Sequence, residues 1–143
     1  MKKLLCCVII ICTLISVSGC QYALERKKNQ YFEIYEIEEN FVSLTGEVLE
    51  VEYNGMQLVK IKCDELLEYV TDKEYERIYY HVLCDSPLNL EVGDTITFVT
   101  VPEHRKYSYC IPIVFVSKDG ETLLELEEGK ENLIEWVNQL GLK

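Results

Sequence analysis

The chain has 143 residues and a formal net charge of −11, from 14 basic and 25 acidic side chains. That length suits one domain around one core. The charge balance argues strongly against nucleic acid as a partner, because affinity there comes mainly from neutralising phosphates with Lys and Arg. It is compatible with a plain solvated surface, with repulsion from an anionic membrane, or with a basic partner.

Met1-Lys2-Lys3 precedes a run, Leu4 to Val17, with no charge and almost no polar side chain. Two lysines, a short apolar run and then small residues are the layout of a secretory signal. A spanning helix needs ~20 apolar residues, and this run is shorter. Val17-Ser18-Gly19-Cys20 (aliphatic, small, small, cysteine) resembles the lipobox of bacterial lipoproteins. The resemblance covers the first twenty residues. It implies cleavage after Gly19, a diacylglyceryl group on the Cys20 sulfur, and a mature protein held on the outer side of the cell membrane. A signal cut elsewhere and an uncleaved anchor are the alternatives. One acyl chain binds marginally, at ~0.8 kcal/mol per buried methylene, whereas two or more hold stably. Without residues 1–19 the chain keeps 12 basic and 25 acidic residues, a net −13.

Gln21–Gln30 reads as a tether, spanning roughly 18 Å if flexible. Its Arg26, Lys27 and Lys28 stand where they could touch anionic head groups, each worth ~1 kcal/mol near the surface, or are simply solvated. Tyr31–Asn40 ("YFEIYEIEEN") fits neither period and reads as a docking segment or a short helix. The domain division is therefore 1–19 signal peptide, 20–40 lipidated cysteine and tether, and 41–143 a single β-barrel-like domain with a terminal helix.

From Phe41 the signals turn to strand. Val42, Leu44 and Val48 share one parity and Leu49, Val51 and Tyr53 the other, which calls for a bulge that Gly46 would ease. Asn54-Gly55 predicts a hairpin into "QLVKIKC", where Val59, Ile61 and Cys63 face one way. Asp64–Arg77 places Leu66, Leu67 and Val70 at helical spacing, a short helix or structured loop. "IYYHVLCD", "TITFVTV", "CIPIVFV" and "TLLELE" are further strands, with Pro112 suggesting an edge or bulge. "KENLIEWVNQLGLK" sets Leu133, Trp136, Val137 and Leu140 on one helical face and ends at Gly141, a plausible cap. The core predicted from parity is Val48, Val51, Val59, Ile61, Val82, Ile96, Phe98, Ile113 and Phe115.

Five to six short strands with a terminal helix predict a mainly β fold, a small barrel. The bent first strand, the Asn-Gly hairpin and the Gly93-Asp94 turn before a Thr/Ile/Phe-rich strand make Phe41–Glu127 similar to an OB-fold. The pattern departs from that fold in one respect. Its insertion lies between strands two and three, and its clear helix is terminal. Another small barrel, or a β-roll with a C-terminal helix, is the alternative.

Of seven cysteines, the lipobox resemblance implies that Cys6, Cys7 and Cys12 leave with the signal and that Cys20 is the lipid attachment site. Cys63, Cys84 and Cys110 remain. Outside the cytoplasm a disulfide is permitted; Cys63 and Cys84 are the candidate pair if adjacent strands bring their Cα atoms within ~4.4–6.8 Å. The rival is three reduced thiols. His81-x-x-Cys84 looks like a metal pair, but residues three apart on a strand face opposite ways, so no metal site is expected. No Gly-x-Ser-x-Gly, His-Glu-x-x-His or phosphate-cradling loop occurs, and no cofactor is implied.

The most distinctive surface segment is the loop before the fifth strand, "EHRKYSY". There His104, Arg105, Lys106, Tyr107 and Tyr109 gather basic and aromatic residues on an acidic body. Such loops border the ligand face in OB-folds, and Tyr and Arg are favoured interface anchors. A plain connecting loop is the alternative. The expected function is a lipid-anchored, extracytoplasmic, non-catalytic binding module meeting an envelope protein or the cell wall. An inhibitor or immunity-type protein capturing a basic partner is the second reading.

Overall fold

The structure, a computed structural model, describes residues 21–140. Strand β1 (Val42–Tyr53) organises it, because its two halves serve different neighbours. Val42 to Glu47 pair antiparallel with β4 (Thr95–Thr100), and Glu47 to Tyr53 pair with β2 (Gln57–Lys62). Leu44, Gly46 and Val48 point inward, the register shifts between Val48 and Glu50, and Val51 resumes the inward side opposite Val59. The expected bulge is therefore present and falls on Leu49, which is exposed. Gly46 is where β1 presses on β2. A Cβ there would lie 2.5 Å from Ile61 Cγ2 and 2.6 Å from the Lys62 carbonyl.

The Asn-Gly hairpin forms as predicted, with Gly55 at φ 76°, a conformation open to glycine. After β2 the chain makes a 3₁₀ turn (Asp64–Glu68) and a one-turn helix α2 (Asp72–Tyr75). Thr71 and Glu74 close that helix with reciprocal capping bonds. Strand β3 (Tyr79–Val82) then pairs antiparallel with β2 and parallel with β5 (Cys110–Lys118). This last pairing closes the barrel in the order β1-β2-β3-β5-β4, and β6 (Glu121–Leu124) adds to β5 as an extra strand. The protein is thus a small OB-like barrel with a C-terminal helix, α3 (Leu126–Gln139).

Two apolar clusters hold it. Inside the barrel lie Val48, Val59, Ile61, Tyr80, Val82, Ile96, Phe98, Ile111, Ile113 and Val116, with Leu66 and Val70 from the insertion packed on them. The Tyr80 ring meets Phe98 edge-on at 5.2 Å. The second cluster sits outside the barrel wall. Tyr31, Ile34 and Tyr35 from a helix over residues 21–35 (α1) pack with Val101, Val114, Leu133 and Val137. Lys28 Nζ also donates to the Asn138 carbonyl near the end of α3, at 3.1 Å.

Several sequence expectations change here. Residues 21–35 are a helix rather than a flexible tether, and its second half belongs to the domain core. Phe115 is half-buried, not interior, and Val51 only packs against the core. The reason is a second bulge. Val99 pairs with Phe115 but Thr100 with Ile113, so Val114 is the extra residue and turns outward under α3. Pro112 stands beside this bulge, its carbonyl accepting from Thr100 Oγ1 at 2.7 Å. Leu67 is exposed, unlike Leu66 and Val70.

The Cys63–Cys84 pairing fails on register. Val59 pairs with Tyr80 and Gln57 with Val82, so Cys63 runs off one end of the ladder and Cys84 off the other. Cys63, Cys84 and Cys110 are free thiols, and burial raises the pKa of each. Cys20 and Gly141 lie outside the described residues. No helix among the described residues is long and apolar enough to cross a membrane.

Helix α3 lies close on β5 because residue 129 is glycine. A Cβ at Gly129 would collide with the backbone of Val114, carbonyl oxygen included. An exposed helical Gly→Ala change gains about 1 kcal/mol of helix propensity. Here overpacking against backbone opposes it, at about 1–3 kcal/mol or more. Gly129→Ala should therefore lower the urea midpoint of unfolding, with a net loss of about 1–2 kcal/mol. A midpoint that rises would show that α3 does not touch β5 at this point.

Candidate functional site

The loop singled out by composition is built inward. Pro102–Lys106 forms a 3₁₀ turn that carries His104 under α1, where it is fully buried. The imidazole stacks on Tyr31 at 4.9 Å between ring centres and on Tyr35 at 6.0 Å, with Trp136 tilted at 6.1 Å. The Tyr35 hydroxyl lies 2.5 Å from His104 Nδ1. The hydroxyl and Nδ1 share a hydrogen bond, burial raises the Tyr35 pKa, and His104 Nε2 has no hydrogen-bond partner. Burial above all, then the nearby Lys27 charge, lowers the His104 pKa to about 4.

The neighbouring charges are internally neutralised. Arg105 lies within 3.3 Å of Glu103 and 3.5 Å of Glu74, tying the turn to α2. Lys106 also pairs with Glu103, whose pKa is lowered chiefly by that hydrogen bond. Tyr107 is partly exposed but sets its ring edge-on to Tyr31, at 5.7 Å. Tyr109 lies under the Arg77 guanidinium at 4.0 Å. His104 is therefore buried, not exposed as its sequence neighbours suggested. The five residues do not form one free basic-aromatic surface: His104 and Tyr107 pack on α1, Arg105 ties the turn to α2, Tyr109 meets Arg77 just after α2, and Lys106 pairs within its own turn.

The structure opens a different site on the other side of Trp136. A groove of about 270 Å³ runs between the β1–β2 turn (Gly55, Met56), the end of β3 and its following loop (His81, Leu83, Cys84, Asp85), and α3 (Asn132, Glu135, Trp136, Gln139). A smaller, more enclosed continuation extends past Met56 to Tyr53 and Pro87. Strand face two-three and the first hairpin loop are the usual ligand side of OB barrels.

Each wall is held. The buried Gln57 amide bonds Leu88 twice, donating to its carbonyl and accepting from its N–H, both at 2.8 Å, which pins the loop that carries Asp85. Asn132 Nδ2 donates to the Leu83 carbonyl at 3.0 Å and fastens α3 to the end of β3. His81 meets the Trp136 ring edge-on at 5.8 Å, and burial lowers its pKa, so it is neutral at pH 7.

His81 and Cys84 both line this groove. The alternation argument that separated them holds only within a strand, and β3 ends at Val82. Among the described residues no three His, Cys, Asp or Glu side chains gather as a metal cluster. Sequence reasoning did not single out Met56, Asp85, Asn132, Glu135 or Gln139, and placed Trp136 only on the apolar face of the terminal helix. The only local signal was the Asn-Gly turn that places Met56 at the rim. Comparison with protein-family models, with curated proteins and with solved structures finds no match, so the reading of this site stands on the geometry of the chain itself.

Proposed function

We propose that the protein is a lipid-anchored, extracytoplasmic, non-catalytic binding module. The groove between the β1–β2 turn, β3 and α3 is the observation that carries the binding part of this reading. It is open and its walls are fixed by hydrogen bonds, as a preformed binding surface requires. The anchoring part rests on the lipobox pattern ending at Cys20. The docked α1 supports it in one further way. Lys28 bonds the body at Asn138 and Tyr31 is buried against the barrel, so about eight to eleven residues of helix, roughly 12–16 Å at 1.5 Å each, would separate a lipid on Cys20 from the body. Such a link would hold the groove close to the membrane.

Lys28 is engaged by Asn138 and Glu25, which leaves Arg26 and Lys27 as the basic side chains of the Arg26–Lys28 run for anionic head groups. The inhibitor or immunity-type reading shares the same groove, because Asp85 and Glu135 favour a basic partner.

Wild-type protein should partition into the detergent phase, and Cys20→Ser should block lipidation and mature processing at this site. If the substituted protein is processed and partitions as before, the lipobox reading is wrong. Crosslinking from the native membrane with a photoreactive group at Met56 tests the binding part. A specific adduct supports a module acting through the groove, and its absence counts against it.

A further inference from the structure

We propose that the groove receives a basic side chain, lysine or arginine, presented on an exposed segment of a partner protein. The inference rests on the binding-module reading and names the chemistry of its partner.

The lining is the first argument. Asp85 and Glu135 are exposed and make no ion pair among the described residues, and no Lys or Arg lines the groove. The ion pairs of the described residues engage Glu25, Glu38, Glu74, Asp94 and Glu103, so both groove carboxylates stay available to a ligand. The polar groups are also turned toward accepting. Glu135 Oε1 takes the Gln139 amide at 2.8 Å, which orients the carboxylate and leaves Oε2 open. Asn132 uses its Nδ2 on Leu83 and so keeps its side-chain oxygen for a ligand. Two carboxylates and a free amide oxygen suit a donor-rich cation and repel an anion.

The apolar part agrees. Trp136 is half-buried and braced by His81. An indole face near a carboxylate attracts ammonium or guanidinium, and Met56 with Leu83 can cover the methylene stem of such a side chain. His81, kept neutral by burial, adds no opposing charge. About 270 Å³ is a little below the range that holds drug-sized ligands, so a side chain fits the space better than a larger molecule does. The chain's net charge of −11 draws a basic partner toward it over distance.

Trp136 is the sole tryptophan of the chain, so its fluorescence reports the groove directly. The full chain in detergent micelles is titrated with acetyl-Gly-Arg-Gly-amide, with its citrulline counterpart (same shape, no charge), and with acetyl-Gly-Glu-Gly-amide. The arginine peptide should shift Trp136 emission saturably, and citrulline should bind about tenfold more weakly. Glu135→Gln and Asp85→Asn should each weaken the arginine peptide about threefold with an unchanged melting temperature, and high salt should weaken it further. Equal binding of the three peptides, absence of a saturable change, or indifference to both substitutions overturns the proposal. Crosslinking at Met56 separates this from failure of the module itself. An adduct to a partner whose captured segment carries no Lys or Arg keeps the module and removes the basic side chain. Loss of both peptide selectivity and adduct removes both.

Discussion

Truncating Phe98 to Ala should remove about 3–5 kcal/mol of folding stability. Phe98 is fully buried and sits on β4 opposite Leu44 of β1 and Val116 of β5, so its ring fills the middle of the barrel. Tyr80 packs edge-on to it from β3. Removing the ring takes away the transfer free energy of the side chain and leaves a cavity whose walls belong to four paired strands. A closed barrel cannot collapse onto that space without breaking register, so little relaxation offsets the loss. A single domain typically has about 5–15 kcal/mol to lose, so the variant should be near the edge of folding. Phe98→Leu is the companion variant, expected to lose less than half as much. Urea unfolding followed by circular dichroism measures both. A loss below about 1 kcal/mol for the alanine variant would place Phe98 at the surface and invalidate the strand parity.

Acidification should destabilise the fold well before the carboxylates titrate. His104 binds a proton at about pH 4 when folded but near pH 6.5 when unfolded. As pH falls through that interval the unfolded chain takes up the proton first, which favours unfolding. The stability that His104 contributes is therefore complete above pH 6.5 and declines until pH 4 is reached, by about 3 kcal/mol in all. The cause is physical exclusion. The ring packs in a cluster with Tyr31, Tyr35 and Trp136, its Nε2 has no hydrogen-bond partner, and Lys27 and the other histidine lie near enough to oppose a second positive charge.

His81 is lowered in the same direction and adds to the slope, so His81→Gln isolates the His104 part. Glu74, Asp94 and Glu103 also have lowered pKa values, but their loss begins only as pH enters the ordinary carboxylate range, from about pH 5 down, and leaves the window from pH 6.5 to 5 to the histidines. Urea titrations across pH, with the imidazole resonances followed by NMR, check this. A His104 ring that titrates near pH 6.5 in the folded protein would mean that α1 does not seal it.

Much of the barrel was legible because it depends on neighbours in sequence. Alternation at Val59-Ile61 and Ile96-Phe98 reports one buried face. Gly46 and the change of parity after Val48 report a bent strand, and Asn54-Gly55 reports its turn. Helix α3 was visible from Leu133 and Val137, although it begins earlier, at Leu126, because Gly129 is a packing device rather than a break.

The candidate site was not legible, and the reasons are specific. Gln21–Gln30 has the composition of a solvated link, and α1 is docked by partners far away in sequence: His104 beneath Tyr31, and the Asn138 carbonyl before Lys28. "EHRKYSY" reads as an exposed loop, and nothing local says that a helix some seventy residues earlier covers its histidine. The cysteines failed on register, which is set by the hairpin loops and not by each strand's own pattern.

What the sequence alone determined is therefore whatever a single strand, turn or helix decides through its own periodicity: a bent, closed, small β-barrel with a terminal helix. What only the tertiary structure decided is which outward faces are covered and which stay open. Helices α1 and α3 bury the Val101–Val114 side of the barrel and leave the groove at Met56, Asp85, Glu135 and Trp136. Burial of a face is a property of two elements meeting, and the elements that meet here lie tens of residues apart, beyond the reach of any local pattern.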